Sequence, residues 1–288
     1  MKAKAKIKKT SPASPSSTPN NKDNCQELTG DATQLTSEAS KKLSTRIAKP
    51  AKQSVAQKAL AVNATKPAKV TVLTVASPKL KAKAKIILTR LTTLYPSPHS
   101  DLNAQDAWQL MVATILAAQC TDERVNKVTP ALFARWPGPT QMAKANTADV
   151  EEVIRSTGLF RTKAKNLIEN AKLLVNQFSG KIPCTMQELT SLPGVARKTA
   201  NIVLWGAFGL NLGMAVDTHV KRIAFRLGLT PNTNPEAVEK DLMALFPQAS
   251  WGNLNNRMVW FGRDVCIARR PQCLSCPLED LCEKQGLQ

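Results

Sequence analysis

Leu189-Thr-Ser-Leu-Pro-Gly-Val-Ala-Arg-Lys-Thr-Ala-Asn201 is the stretch from which the fold can be read. Pro193 and Gly194 break the chain between two apolar segments, and a helical pattern restarts at once with Val195, Thr199, Ile202, Val203 and Gly206. The spacing predicts a helix–hairpin–helix over residues 186–205. Such a turn leaves the first amides of the second helix unpaired and points that helix's positive end the same way, which suits a phosphate. Lys198 falls in the first turn of the second helix, and Asp217 follows nineteen residues later. A phosphate cradle beside a lysine and a carboxylate points to chemistry on a nucleic acid backbone or sugar. A plain helical corner with a solvated lysine and an N-capping aspartate reads equally well from this stretch alone.

Outward from the hairpin the same periodicity continues. Apolar residues at helical spacing predict helices over Lys79–Leu94, Asp106–Ala118, Val125–Trp136, Thr147–Ser156, Arg161–Phe178 and Thr185–Leu192. Beyond the hairpin, Pro235–Leu245 and Asn253–Cys266 extend the pattern. No segment alternates with period two, so the fold class is all-α. Residues 1–78 read differently. Through residue 80 there is no Phe, Trp or Tyr, and fifteen Lys and Arg stand against four Asp and Glu, a net +11 of the chain's +19. Such a segment buries too little apolar area to offset its ordering entropy, and a disordered basic tail is expected. It adds DNA affinity, serves as a solvated spacer, or directs the chain to an organelle; the last fits less well, because transit peptides favour Arg and here Lys dominates.

The overall charge of +19 favours a polyanionic partner, nucleic acid before membrane. No apolar run approaches the roughly eighteen residues that span a bilayer, so no membrane association is expected. Cys266, Cys273, Cys276 and Cys282 are spaced C-x6-C-x2-C-x5-C, close enough in sequence for four thiolates to close around one centre. Spacing alone leaves zinc and an iron–sulfur cluster both open, with disulfides the weaker reading in a basic, reducing context. The loop between the first two cysteines holds Arg269 and Arg270, so a bound metal would pin two cations at the surface. His219 follows Asp217 and Thr218, where it can orient the carboxylate, bond a phosphate or serve structure alone. No GxxxxGK[ST] loop and no Ser/His/Asp constellation is present, so nucleotide hydrolysis is unsupported.

Four segments taken together resemble the endonuclease III family of base-excision-repair glycosylases with DNA lyase activity. They are the hairpin from Leu192 to Asn201, Val216-Asp-Thr-His219, Ala118-Gln-Cys-Thr-Asp122 and the four-cysteine tail. The resemblance implies a [4Fe–4S] cluster on Cys266, Cys273, Cys276 and Cys282, with Lys198 the nucleophile and Asp217 the essential carboxylate. It implies that Gln119 and Leu159 enter the duplex around an extruded nucleotide. DNA contacts are expected from Leu192, Gly194, Ala196, Arg197, His219, Arg269 and Arg270 as well. Ala196 departs from the glycine usual at that hairpin position. The resemblance also implies two helical lobes: residues 101–211, six helices ending in the hairpin, and a cluster lobe of residues 79–100 with 212–288. Lys198 and Asp217 would face each other across the cleft, with the lysine partly buried.

The implied activity is removal of oxidised pyrimidines from DNA, followed by cleavage of the abasic site through a lysine Schiff base. Damaged bases lie inside a stack, so the nucleotide must be extruded and the gap filled. A monofunctional adenine-mismatch glycosylase is the alternative enzyme, although such enzymes generally lack a lysine where Lys198 stands. A non-catalytic DNA-binding module is the other alternative, against which the presence of both Lys198 and Asp217 counts. The expected partner is double-stranded DNA carrying damaged pyrimidines or abasic sites, bound by a monomer. The expected place is the bacterial cytoplasm, in association with the nucleoid.

Overall fold

Seven of the helices begin on a side chain that the sequence places for the purpose. Asp106 caps α2 (Ala107–Leu116), Thr121 caps α3 (Asp122–Arg135), Asn146 caps α5 (Thr147–Ile154) and Thr185 caps α7 (Met186–Ser191). Ser77, Asp217 and Asn234 do the same for α1 (Pro78–Leu94), α9 (Thr218–Arg226) and α10 (Pro235–Leu245). Each carboxylate, amide or hydroxyl oxygen accepts an amide that the helix itself cannot satisfy. The remaining helices are α4 (Pro139–Met142), α6 (Phe160–Gln177), α8 (Arg197–Phe208) and α11 (Trp251–Asp264). The computed structural model describes residues 77–287, and the tail expected over residues 1–78 lies outside them save for its last two. Among the described residues all regular structure is helical, and no helix is long and apolar enough to cross a membrane.

The predicted helices are present, with shifted ends. The largest shift is in α3, which starts at Asp122 rather than Val125 because Thr121 accepts the Arg124 amide. The polar turn Asp122–Arg124 carries no apolar period, so only the cap could have revealed it.

Packing gathers the apolar stripes into two regions. In one, α2 lies along α8, and α6 covers α4 and α5, with Met111, Leu116, Leu132, Ile154, Leu167 and Leu204 fully buried. The other core joins Ala84, Ile87 and Leu91 of α1 to residues far along the chain, among them Val220, Ile223, Leu242, Leu254, Met258 and Leu278. In that second core α11 packs on α9 and α1, and it also touches α8 of the first. The hairpin turn sits on α6: Asn170 Nδ2 donates to the Pro193 carbonyl at 2.9 Å. Gly194 has φ +76, and any side chain there would run into Asn166. The backbone angle is what demands glycine, since the Asn166 amide could shift aside.

Candidate active site

Helix α8 opens on Ala196, whose side chain supplies no cap. Its first intrahelical bond runs from Ala200 N to Ala196 O at 3.0 Å, so the amides of Arg197, Lys198 and Thr199 have no partner within the helix. Ala196 has φ −80°, which any residue adopts, so its methyl costs the turn no strain. Lys198 rises from this first turn and is exposed, not partly buried as expected. Asp217 is the N-cap of α9, its Oδ1 accepting the Val220 amide at 2.8 Å. Its Oδ2 has no partner among the described residues. The capping reading of Asp217 is therefore correct, and it coexists with a second oxygen free for other work.

Lys198 and Asp217 line one cleft of about 970 Å³, together with Gln119, Ala196 and His219. Among the described residues no salt bridge joins the lysine to the aspartate. Asp122, which sequence reasoning missed, belongs to the same group. Burial pushes its carboxyl above the ordinary range; Lys198 and His219 pull it down, while the Asp217 charge pushes it further up. Three elements thus bring an amine, two carboxylates and an imidazole within electrostatic reach of each other. Arg263 on α11 holds Asp122 Oδ2 at 2.7 Å and also pairs with Asp101. His99 and Trp260, edge to face at 4.7 Å, form part of the same wall.

Other expected contacts lie elsewhere. Leu192 is 2% exposed, a core residue whose backbone alone is available to a ligand. Gly194 is exposed at the turn. Arg197 turns its guanidinium away from the turn to Glu239 on α10, with Nε 2.6 Å and Nη2 3.2 Å from the carboxylate oxygens. Glu239, 4% exposed, also accepts Asn201 Nδ2 at 2.9 Å and the Met214 amide at 3.2 Å. His219 Nδ1 meets Arg222 Nη2 at 3.2 Å, so α9 itself engages one ring nitrogen of the imidazole. Gln119 and Leu159 occupy left-handed backbone at φ 55° and 47°, and Leu159 is 57% exposed. Non-glycine residues held there are strained, and such strain gathers at functional positions.

The four cysteines line one common pocket at the end of α9 and α11. Arg226 Nη1 and Nη2 donate to the carbonyls of Ile267 and Ala268 at 2.8 and 2.9 Å, and Arg222 Nε donates to Cys266 O at 3.1 Å. Arg269 and Arg270 stand exposed on this loop, Arg270 at φ 56°. Burial and the charges of neighbouring thiols push Cys276 and Cys282 up, against amide hydrogen bonds from Leu278 and Lys284 at 3.4 Å. Four thiolates cannot share this space without a cation between them. Among the described residues no three His, Cys, Asp or Glu side chains are close enough to hold a single metal ion. Four thiol donors around one pocket are a set that a thiolate-bound metal centre requires.

Residues 112–248 match the model of the HhH-GPD superfamily base excision DNA repair protein. The chain is 52% identical over 202 residues to endonuclease III of a Synechocystis species, covering 70% of this chain and 92% of that one. It also resembles the solved structure of a non-covalent endonuclease III–DNA complex, with TM-score 0.68, 40% identity and coverage of 71% of this chain and 95% of that one. A trapped endonuclease III–DNA covalent intermediate matches with the same score and identity, over 71% and 96%.

Proposed function

The chain belongs to the endonuclease III family, and on that premise we propose that Lys198 and Asp217 carry out its chemistry. The protein is a base-excision-repair DNA glycosylase and abasic-site lyase for oxidised pyrimidines. The observation that carries the residue assignment is the cleft itself, which holds an exposed amine on one helix and a half-free carboxylate on the next. The neutral amine of Lys198 attacks C1′ of the extruded nucleotide, forming a C–N bond as the glycosidic bond breaks. The base leaves with the bonding electron pair and takes up a proton. Asp217 Oδ2 faces the positive charge that develops on the sugar, and stabilises it. The nitrogen then loses a proton and its lone pair opens the ring, C1′=N forming as C1′–O4′ breaks and O4′ takes up a proton; this Schiff base acidifies C2′, and loss of that proton expels the 3′ phosphate and cuts the strand.

The free amides at the start of α8 receive a DNA phosphate, and Gln119 and Leu159 fill the space that the extruded nucleotide leaves. Arg197 contributes to binding through its amide, while its side chain keeps α8 on Glu239. Cys266, Cys273, Cys276 and Cys282 hold a [4Fe–4S] cluster. When bound it supplies iron–thiolate bonds that fix the loop bearing Arg269 and Arg270 against DNA, and base release does not pass through it. Two lobes, residues 101–211 and 79–100 with 212–288, flank the cleft, a reading supported by the core that α1 shares with residues 214–278. The protein acts as a monomer on double-stranded DNA.

The test is a duplex carrying one thymine glycol, incubated with borohydride and resolved on a denaturing gel. Wild type should give a covalent adduct and, without borohydride, strand cleavage. Lys198→Gln should give neither while binding the duplex, and Asp217→Asn should bind yet release base slower by a factor of 100 or more, about 3 kcal/mol of charge stabilisation. A wild-type rate of adduct formation by Lys198→Gln would assign the nucleophile to another amine.

A further inference from the structure

Helix α6 buries a stripe made of Lys163, Leu167, Asn170 and Leu174, and two of those four are polar. Asn170 reaches the hairpin turn through the Pro193 carbonyl. Lys163 is 4% exposed, and no carboxylate pairs with it among the described residues. Its Nζ donates instead to two carbonyls, Leu116 O and Thr157 O, each at 2.8 Å. Burying an ammonium without a counter-charge is costly, and a hydrophobic residue would fill this stripe at no such cost. Burial lowers the Lys163 pKa accordingly.

The acceptors explain the choice. Leu116 is the last residue of α2, so its carbonyl is one that the helix leaves unpaired at its negative end. Thr157 ends the short 3-10 turn Arg155–Thr157. Three residues after Leu116 comes Gln119, and two after Thr157 comes Leu159, the two left-handed residues to which the proposed function assigns the gap in the duplex. One buried cation therefore ties together the roots of both segments.

We propose that Lys163 is a positioning residue that holds Gln119 and Leu159 in mutual register, so that both enter the duplex as one wedge. This rests on the wedge reading of Gln119 and Leu159 under the proposed function. A rigid wedge has no rotamer or loop entropy to lose on insertion, so the energy of unstacking the duplex is met by contacts already in place. Lys163 acts on extrusion and leaves the covalent steps at C1′ untouched.

The experiment compares single-turnover base release from thymine glycol in a fully paired duplex and in an unpaired bulge, using the full-length protein in excess. The ratio of the two rates from one preparation is independent of the folded fraction. Lys163→Met keeps the length and loses both hydrogen bonds. It should slow the paired substrate by about tenfold, because extrusion costs a few kcal/mol, and change the bulged substrate little. Leu159→Ala should shift the ratio in the same sense. If Leu159→Ala shifts it and Lys163→Met slows both substrates equally or neither, the brace is overturned and the wedge stands. If Leu159→Ala leaves the ratio unchanged, the wedge reading fails and the brace with it. Should Lys163→Met prove insoluble, Lys163→Gln is read by the same ratio, with the same expectation.

Discussion

Glu239 shows how far a residue outside the chemistry can govern it. It takes hydrogen bonds from Arg197 and Asn201 on the lysine's helix, and from the Met214 amide in the segment leading to Asp217. Any side chain at Gly213 would collide with both Glu239 and Asn201, so the backbone passes here only because that residue is glycine. Glu239→Gln turns an acceptor into a donor facing other donors. It should destabilise the fold by about 2–4 kcal/mol in urea melts, less than a wholly buried pair, because the Arg197 side chain is 43% exposed. Borohydride trapping should slow more than duplex affinity falls. Trapping at the wild-type rate would show that Lys198 and Asp217 keep their places without it. Little of this was legible in the sequence, since Arg197 and Glu239 are 42 residues apart, and the resemblance assigns Arg197 to DNA rather than to a partner on another helix. Lys163 was nearer to legible, lying four residues before Leu167 and seven before Asn170 on the buried stripe.

At the scale of elements, seven helices are capped by a side chain and four, α4, α6, α8 and α11, are not; two of those four concern DNA. α6 begins at Leu159 and α8 at Ala196, and neither residue supplies a capping oxygen. Both starts are segments assigned to DNA. Ala196→Ser would place an oxygen over the Lys198 and Thr199 amides. It should raise stability by roughly 0.5–1 kcal/mol, the ordinary worth of a cap, and weaken duplex binding several-fold because hydroxyl and phosphate compete for the same amides. Stability and affinity moving together, measured by urea melt and fluorescence titration, would refute that competition. The hairpin was readable because Pro193 and Gly194 interrupt an apolar pattern that resumes at once, and helix ends were readable wherever Asn, Asp, Ser or Thr stood before an apolar run. Burial of Leu192 was not, because the apolar run ends at the turn and its last residue can face either way.

For the whole molecule, charge is distributed as unevenly as structure. Residues 1–80 carry +11 of the net +19. Removing residues 1–76, which spares the Ser77 cap of α1, should flatten the dependence of log K on log salt by about 0.9 for each phosphate that is no longer neutralised. Turnover of a lesion at low salt should change little. An unaltered slope in a filter-binding series would make the segment a spacer.

The core that joins α1 to residues 214–278 has a further consequence, which concerns time. Ala84, Ile87 and Leu91 leave the ribosome before the rest of this core, whose side chains from Met214 onward lie well over a hundred residues downstream. At roughly 5–20 residues per second, α1 waits on the order of ten seconds with its apolar stripe bare. The intervening helices, whose contacts are with one another, can assemble during that interval. Among the described residues the first helix to be made is thus the last to find its place, and it closes its core only when residues 214–278 have followed.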